Sequence, residues 1–209
     1  MLSAYTSIVF ASAFLAILFT LHFLKRELDP AWRMISEYEI GRFGWMMRLA
    51  FFCWGASVLA LLVAIWPALL PISGTISRWW FVLIVVVLFG AGIFKTDPIT
   101  HDTHSLVNTI HKFCGTIVIL TFPIAATLAV HSLLLDPHWL AYQGWLKFGI
   151  VLAWIGMVAY FATIIISRIK DPQAGQVGGL HVNMGWSNRF NVVTYIIWII
   201  ITAGIALRL

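Results

Sequence analysis

The sequence predicts an all-α polytopic membrane protein, a bundle of six transmembrane helices forming a single domain over residues 1–209, with a short interfacial helix in loop one. Three observations predict it. Hydrophobic residues make up 61% of the chain and charged residues 10%, against roughly 25% charged in a soluble domain. Mean hydropathy is +0.94. The apolar residues also fall into six runs, most near the about 20 residues that span a bilayer, and no long polar linker divides them.

The runs are 5–24, 43–70, 79–94, 106–135, 145–166 and 186–207. The first lacks a basic leader and reads as an uncleaved span. The third is short, so its helix is expected to begin inside Ser77-Arg78. The second and fourth are long and should tilt or protrude. Pro67 and Pro123 should kink them, because proline removes a backbone donor and crowds the preceding turn. Trp79, Trp80, Trp139, Trp145 and Trp186 fall at span ends, where an amphipathic ring suits the headgroup boundary. Trp54, Trp66, Trp154 and Trp198 lie deeper and read as packing residues. Cys53 and Cys114 belong to no paired motif and read as small buried thiols.

Charge is gathered in alternate loops. Loops one, three and five, with their helix ends, hold Lys25, Arg26, Arg33, Arg42, Arg48, Lys95, Lys112, Arg168, Lys170 and Arg189. Loops two and four hold only Arg78 and Lys147. The positive-inside rule then makes the first set cytoplasmic, with both termini outside, in a multi-pass protein of the inner (plasma) membrane. Arg208 dissents mildly. Of the 8 acidic residues, only Asp136 lies outside the same three loops. The net charge of +5 therefore points to lipid headgroups. With no basic tract or stripe, it does not point to nucleic acid.

Asp-Pro pairs punctuate the loops. Aspartate caps helices, and proline suits the first helical position. Asp29-Pro30 thus predicts a short interfacial helix over 31–40, stopped at Gly41. Asp97-Pro98 predicts an early start for the fourth helix. Loop five, with Gly175, Gly178 and Gly179, reads as flexible.

The candidate sites lie on the loop-one, -three and -five side. If the fourth helix starts at Pro98, then His101, His104, Asn108 and His111 share one stripe. With Asp97 they form a candidate zinc or iron site, imidazole being the commonest metal ligand. The ordinary reading is a capping Asp97, two solvated histidines, and a His111 bonded inside the bundle. His111 is the most telling of them, since ionisable groups at membrane depth face the interior and often mark function. Ser36 and Glu37 could supply a nucleophile or a base, or simply a solvated interfacial turn. Arg48 and Arg189 open the second and sixth spans and need an acid, a carbonyl or a lipid phosphate. His22 and His111 could together ligate a haem, provided that helices one and four face each other.

Several of these residues carry a resemblance. Met34-Ile35-Ser36-Glu37 with Gly41 and Gly44-Trp45 resembles the Ile-Ser-Glu-Leu-Gly region of the family catalogued as domain of unknown function 998. Phe94-Lys95-Thr96-Asp97-Pro98 resembles that family's Phe-Pro-x-Asp segment, and Ile110-His111 its Ile-His. Arg189-Phe190 with Thr194 and Trp198 resembles its last span. Tyr38, Lys95 and Asn108 depart from the usual Leu, Pro and Gly. The resemblance implies a six-span prokaryotic membrane protein with polar residues gathered on one face, and no established activity.

Two classes of function follow. One is a non-catalytic accessory subunit or lipid- or cofactor-binding module of a membrane complex, whose partners are membrane lipids and other membrane subunits. The other is a membrane-embedded, metal-assisted hydrolase or transferase acting on a lipid headgroup. There Asp97, His111 and one of His101 or His104 would hold the metal, Glu37 would be the base, and Arg48 or Arg189 would hold phosphate.

Overall fold

The computed structural model describes residues 1–99, 105–173 and 184–209. Among them every regular element is helical. In order they are α1 (Leu2–Leu24), a 3-10 helix (Ile35–Glu39), α2 (Gly44–Ile65), a 3-10 turn (Trp66–Ala68), α3 (Ile72–Ile93), α4 (Leu106–Leu133), the single-turn α5 (Pro137–Leu140), α6 (Gln143–Lys170) and α7 (Met184–Ala206). The six long helices are each long and apolar enough to cross a membrane.

α1 packs chiefly on α2 and α7, α3 lies between α2 and α4, and α6 lies against α7 and α4. The most enclosed spans are α2 and α7. Their inner side chains meet an aromatic core. Phe122 stacks on Tyr195 at 4.5 Å, Phe81 stacks on Trp198 at 5.7 Å, and Phe14 tilts against Trp54 at 5.3 Å. Such pairs contribute about 0.5–1.5 kcal/mol each beyond simple burial. Lipid supplies no hydrophobic drive between helices, so close backbone approach matters. Gly149, Ala153 and Gly156 form the inner stripe of α6, and a Cβ at Gly156 would stand 2.3 Å from Thr194 Oγ1.

Four local expectations are corrected. The third span begins at Ile72, ahead of Ser77-Arg78. One face of its weakly apolar first turns is packed: the Ser77 hydroxyl donates to the Ala125 carbonyl at 2.9 Å, and Gly74 sits against Leu69 and Ser132. Pro67 ends the α-helical part of α2 at a 3-10 turn, and Pro123 lies inside α4.

The fourth helix starts at Leu106 and not at Pro98. Ser105 is its N-cap, accepting the Asn108 N–H at 3.1 Å. Asp97 instead ties off the loop, accepting the Ser105 N–H at 2.7 Å.

The short helix expected over 31–40 reduces to the 3-10 segment Ile35–Glu39, in which Ile35, Glu37, Tyr38 and Glu39 are buried. Asp29 makes only a turn, through the N–H groups of Ala31 at 2.9 Å and Arg33 at 3.0 Å. The physical reason is competition for acceptors. The carbonyls of Pro30, Ala31 and Arg33 take donors from α7 in place of a local helix. The chain then reverses at Gly41 (φ 71°) and Phe43 (φ 65°). A Cβ at Gly44 would stand 1.9 Å from the Glu39 carbonyl oxygen, so the turn tolerates no side chain there.

Candidate functional site

Loop one, loop three and the start of α7 meet at one end of the bundle. The Ile35 N–H donates to Asn188 Oδ1 at 3.2 Å, and the Gly185 N–H to the Ala31 carbonyl at 3.0 Å. The Ile99 N–H donates to Glu37 Oε1 at 2.9 Å, and the Thr96 N–H to Glu39 Oε2 at 3.1 Å. Each link joins a side chain or turn of one connector to the main chain of another.

Arg189 is the hub. It is 4% exposed. Its Nε donates to His22 Nε2 at 2.8 Å, and its Nη2 to the Tyr38 hydroxyl at 2.8 Å. Its Nη1 reaches the carbonyls of Arg33 (2.7 Å), Gly185 (2.9 Å) and Pro30 (3.1 Å). The rigid five-donor fork of arginine suits this fan, which a lysine could not reproduce. His22 Nδ1 lies 2.7 Å from the Leu18 carbonyl, so that nitrogen carries the proton and Nε2 accepts from Arg189. Both ring nitrogens of His22 are therefore engaged.

Glu37 and Glu39 are treated differently although both are buried. Glu37 accepts the Ile99 N–H and the Met34 N–H at 3.3 Å, and it pairs with Arg33, whose Nε lies 3.2 Å from Oε2. Glu39 Oε2 receives one backbone N–H, and Oε1 is buried without a hydrogen-bond partner. Burial raises the Glu39 carboxyl to about 7, against the opposing pull of the Thr96 N–H, Arg48 and Lys95. His111 stands beside it, with Nδ1 3.7 Å from Glu39 Oε2. That nitrogen donates to the carbonyls of Phe94 at 2.7 Å and Ala91 at 3.1 Å. Asn108 Oδ1 accepts from Thr96 Oγ1 and the Asp97 N–H, each at 3.0 Å.

Arg48 donates from Nε to the Gly92 carbonyl at 2.8 Å, pinning α2 to α3. Lys25 is buried at the end of α1 and donates to the Ile40 carbonyl. Desolvation lowers its ammonium below the usual lysine range, and Glu27 offsets part of that.

The open space lies beside this network. A groove of about 500 Å³ runs between α1 and α7, within the about 300–1,000 Å³ usual for small-molecule sites. Leu15, Leu18, Phe19, Phe23 and Val193 form its wall, and His22, Trp186 and Arg189 close its loop-side end. Trp186 stacks on His22 at 6.3 Å and is 53% exposed. Because the nitrogens of Arg189 are taken by loop one, Gly185 and His22, and those of His22 by Arg189 and the Leu18 carbonyl, the groove meets mostly hydrocarbon.

A family model described as "Protein of unknown function (DUF998)" matches residues 8–205. The chain belongs to that family. No curated protein and no solved structure gives a significant match.

In this DUF998 protein the structure brings Glu37, Asp97, His111, Arg48 and Arg189 to one end of the bundle, but not into one cluster. His22 and Arg189 are in contact, while His111 stands with Glu39 and the end of α3. A shared haem required α1 and α4 to face each other, yet α1 rests on α2 and α7 and α4 chiefly on α3. His101 and His104 lie outside the described residues. Among the described residues no group of three metal-ligating side chains converges. Ser36 is half-buried.

Sequence reading passed over Tyr38, Glu39 and Asn188 as site residues. Asn188 had a legible signal, a second polar residue beside Arg189 in the first turns of an apolar span. Tyr38 and Glu39 had none, because their burial depends on loop one folding inward.

Proposed function

We propose that this chain is a non-catalytic membrane module that holds a lipid-like amphiphile in the groove between α1 and α7. The observation that carries the reading is the groove itself. Its wall is apolar, while the arginine at its end is bonded to loop one, and the histidine to that arginine and to the Leu18 carbonyl. The polar face then acts as a lock that shapes the groove end, and the groove is where a ligand fits. A pocket with an apolar wall and few polar groups is the usual form of such a site. Membrane lipids are its partners in this reading, within a larger membrane complex. The excess of basic residues in loops one, three and five supports a cytoplasmic placement for the polar face.

The test is retention of lipid. The protein is purified in mild detergent, extracted, and its bound amphiphiles are quantified by mass spectrometry. The wild type is expected to retain stoichiometric lipid, and Val193→Trp, which fills the groove, is expected to lose it. Equal lipid content in the two folded proteins overturns the reading.

A further inference from the structure

We propose that Glu39 and Asn108 together hold one buried water molecule, hydrogen-bonded to Oε1 of the carboxyl and to Nδ2 of the carboxamide, which ties loop one to α4 beside Thr96. The proposal is independent of the groove between α1 and α7.

Two polar atoms carry it. Glu39 is 4% exposed, and Asn108 has no exposed surface. Glu39 Oε1 and Asn108 Nδ2 are both buried without a hydrogen-bond partner. Buried polar groups in native proteins are nearly always paired, with protein or with ordered water.

The two side chains are anchored on neighbouring main-chain amides. The Thr96 N–H donates to Glu39 Oε2 at 3.1 Å, and the Asp97 N–H to Asn108 Oδ1 at 3.0 Å. The Thr96 hydroxyl also donates to Asn108 Oδ1, at 3.0 Å. A backbone N–H can only donate, so the carboxamide oxygen faces loop three and Nδ2 is a donor in need of an acceptor. Glu39 Oε1, when ionised, is an acceptor in need of a donor. Thr96 therefore holds one arm of each group, and the remaining arms are of opposite hydrogen-bonding sense.

The neighbouring cations do not complete this pair. Arg48 Nε is committed to the Gly92 carbonyl, and His111 Nδ1 to the carbonyls of Phe94 and Ala91. Lys95 is exposed. Any cation, a metal ion included, would serve Oε1 alone, because Asn108 Nδ2 requires an acceptor. Water both donates and accepts, and buried waters take about two to four such partners. It also serves the protonated acid, by accepting its O–H. One water still leaves Glu39 with fewer partners than Glu37, which has two main-chain donors and Arg33.

The test is hydroxyl-radical footprinting of the full chain in detergent. An X-ray pulse splits a bound water, and the radical marks the side chain beside it. His111 is the reporter, 4% exposed and with Nδ1 3.7 Å from Glu39 Oε2. Phe14, fully buried against Trp54, is the control. Each residue is measured relative to itself in the unfolded chain. Wild-type His111 is expected to label well above Phe14. Asn108→Leu is expected to bring it down to the Phe14 level, and Lys95→Met to leave it unchanged. Glu39→Leu removes the other partner and should act as Asn108→Leu does, which keeps the test decisive if one of the two fails to fold. Wild-type His111 labelled no more than Phe14 overturns the water. Labelling that survives Asn108→Leu or Glu39→Leu in the folded protein overturns its assignment to this pair. Labelling changed by Lys95→Met puts the lysine in the site and overturns the proposal as well.

Discussion

Glu39→Gln isolates the cost of one buried carboxyl. The Glu39 side chain has no exposed surface, one hydrogen bond from Thr96, and an Oε1 with no hydrogen-bond partner. Its carboxyl is raised from 4.5 to about 7. At about 1.4 kcal/mol per unit this corresponds to about 3 kcal/mol. The folded state holds the proton more tightly than the unfolded state. The stabilisation is therefore fully present below about pH 4.5 and is lost as pH rises through about 7. Glutamine mimics the protonated acid at every pH. Thermal unfolding in detergent, followed by tryptophan fluorescence from about pH 5 to about pH 9, should show wild type losing stability relative to Glu39→Gln. The gap should open toward about 3 kcal/mol above pH 7. Curves that stay parallel across the range would refute the account of Glu39 as a desolvated, poorly partnered acid.

Other consequences follow from the same contacts. Arg189→Gln should destabilise by about 2–6 kcal/mol, since the carbonyls of Pro30 and Arg33 each lose a donor worth about 1–3 kcal/mol when buried. Limited proteolysis should then cut loop one sooner, and Arg189→Lys should not restore it. Gly156→Ala should cost about 1–3 kcal/mol through overpacking, and adding Thr194→Ala should recover part of the loss in the same unfolding assay. In a chain carrying Cys53→Ala and Cys114→Ala, single cysteines at Arg26 and Gln173 should be shielded from an impermeant thiol reagent in intact cells. A cysteine at His138 should react. The reverse pattern would invert the proposed orientation.

The sequence by itself determined the spans and the face on which polarity collects. Apolar run length is a local property, and a helix in lipid satisfies its own backbone, so the six helices follow from composition along the chain. Their parity then puts loops one, three and five at one end. Asp97-Pro98 carries the local signals of a helix start, yet α4 begins later, capped by Ser105. Tertiary structure decided what the polar residues do. Loop one had the signals of a short helix, yet α7 took its carbonyls through Arg189 and Gly185, and the segment folded inward. Glu37 and Glu39, two residues apart, each receive one N–H from loop three, more than 50 positions away in the chain. They differ because the folded loop one also turns the Met34 N–H and Arg33 onto Glu37 and leaves Oε1 of Glu39 bare. No local pattern of residues encodes which distant donor will arrive.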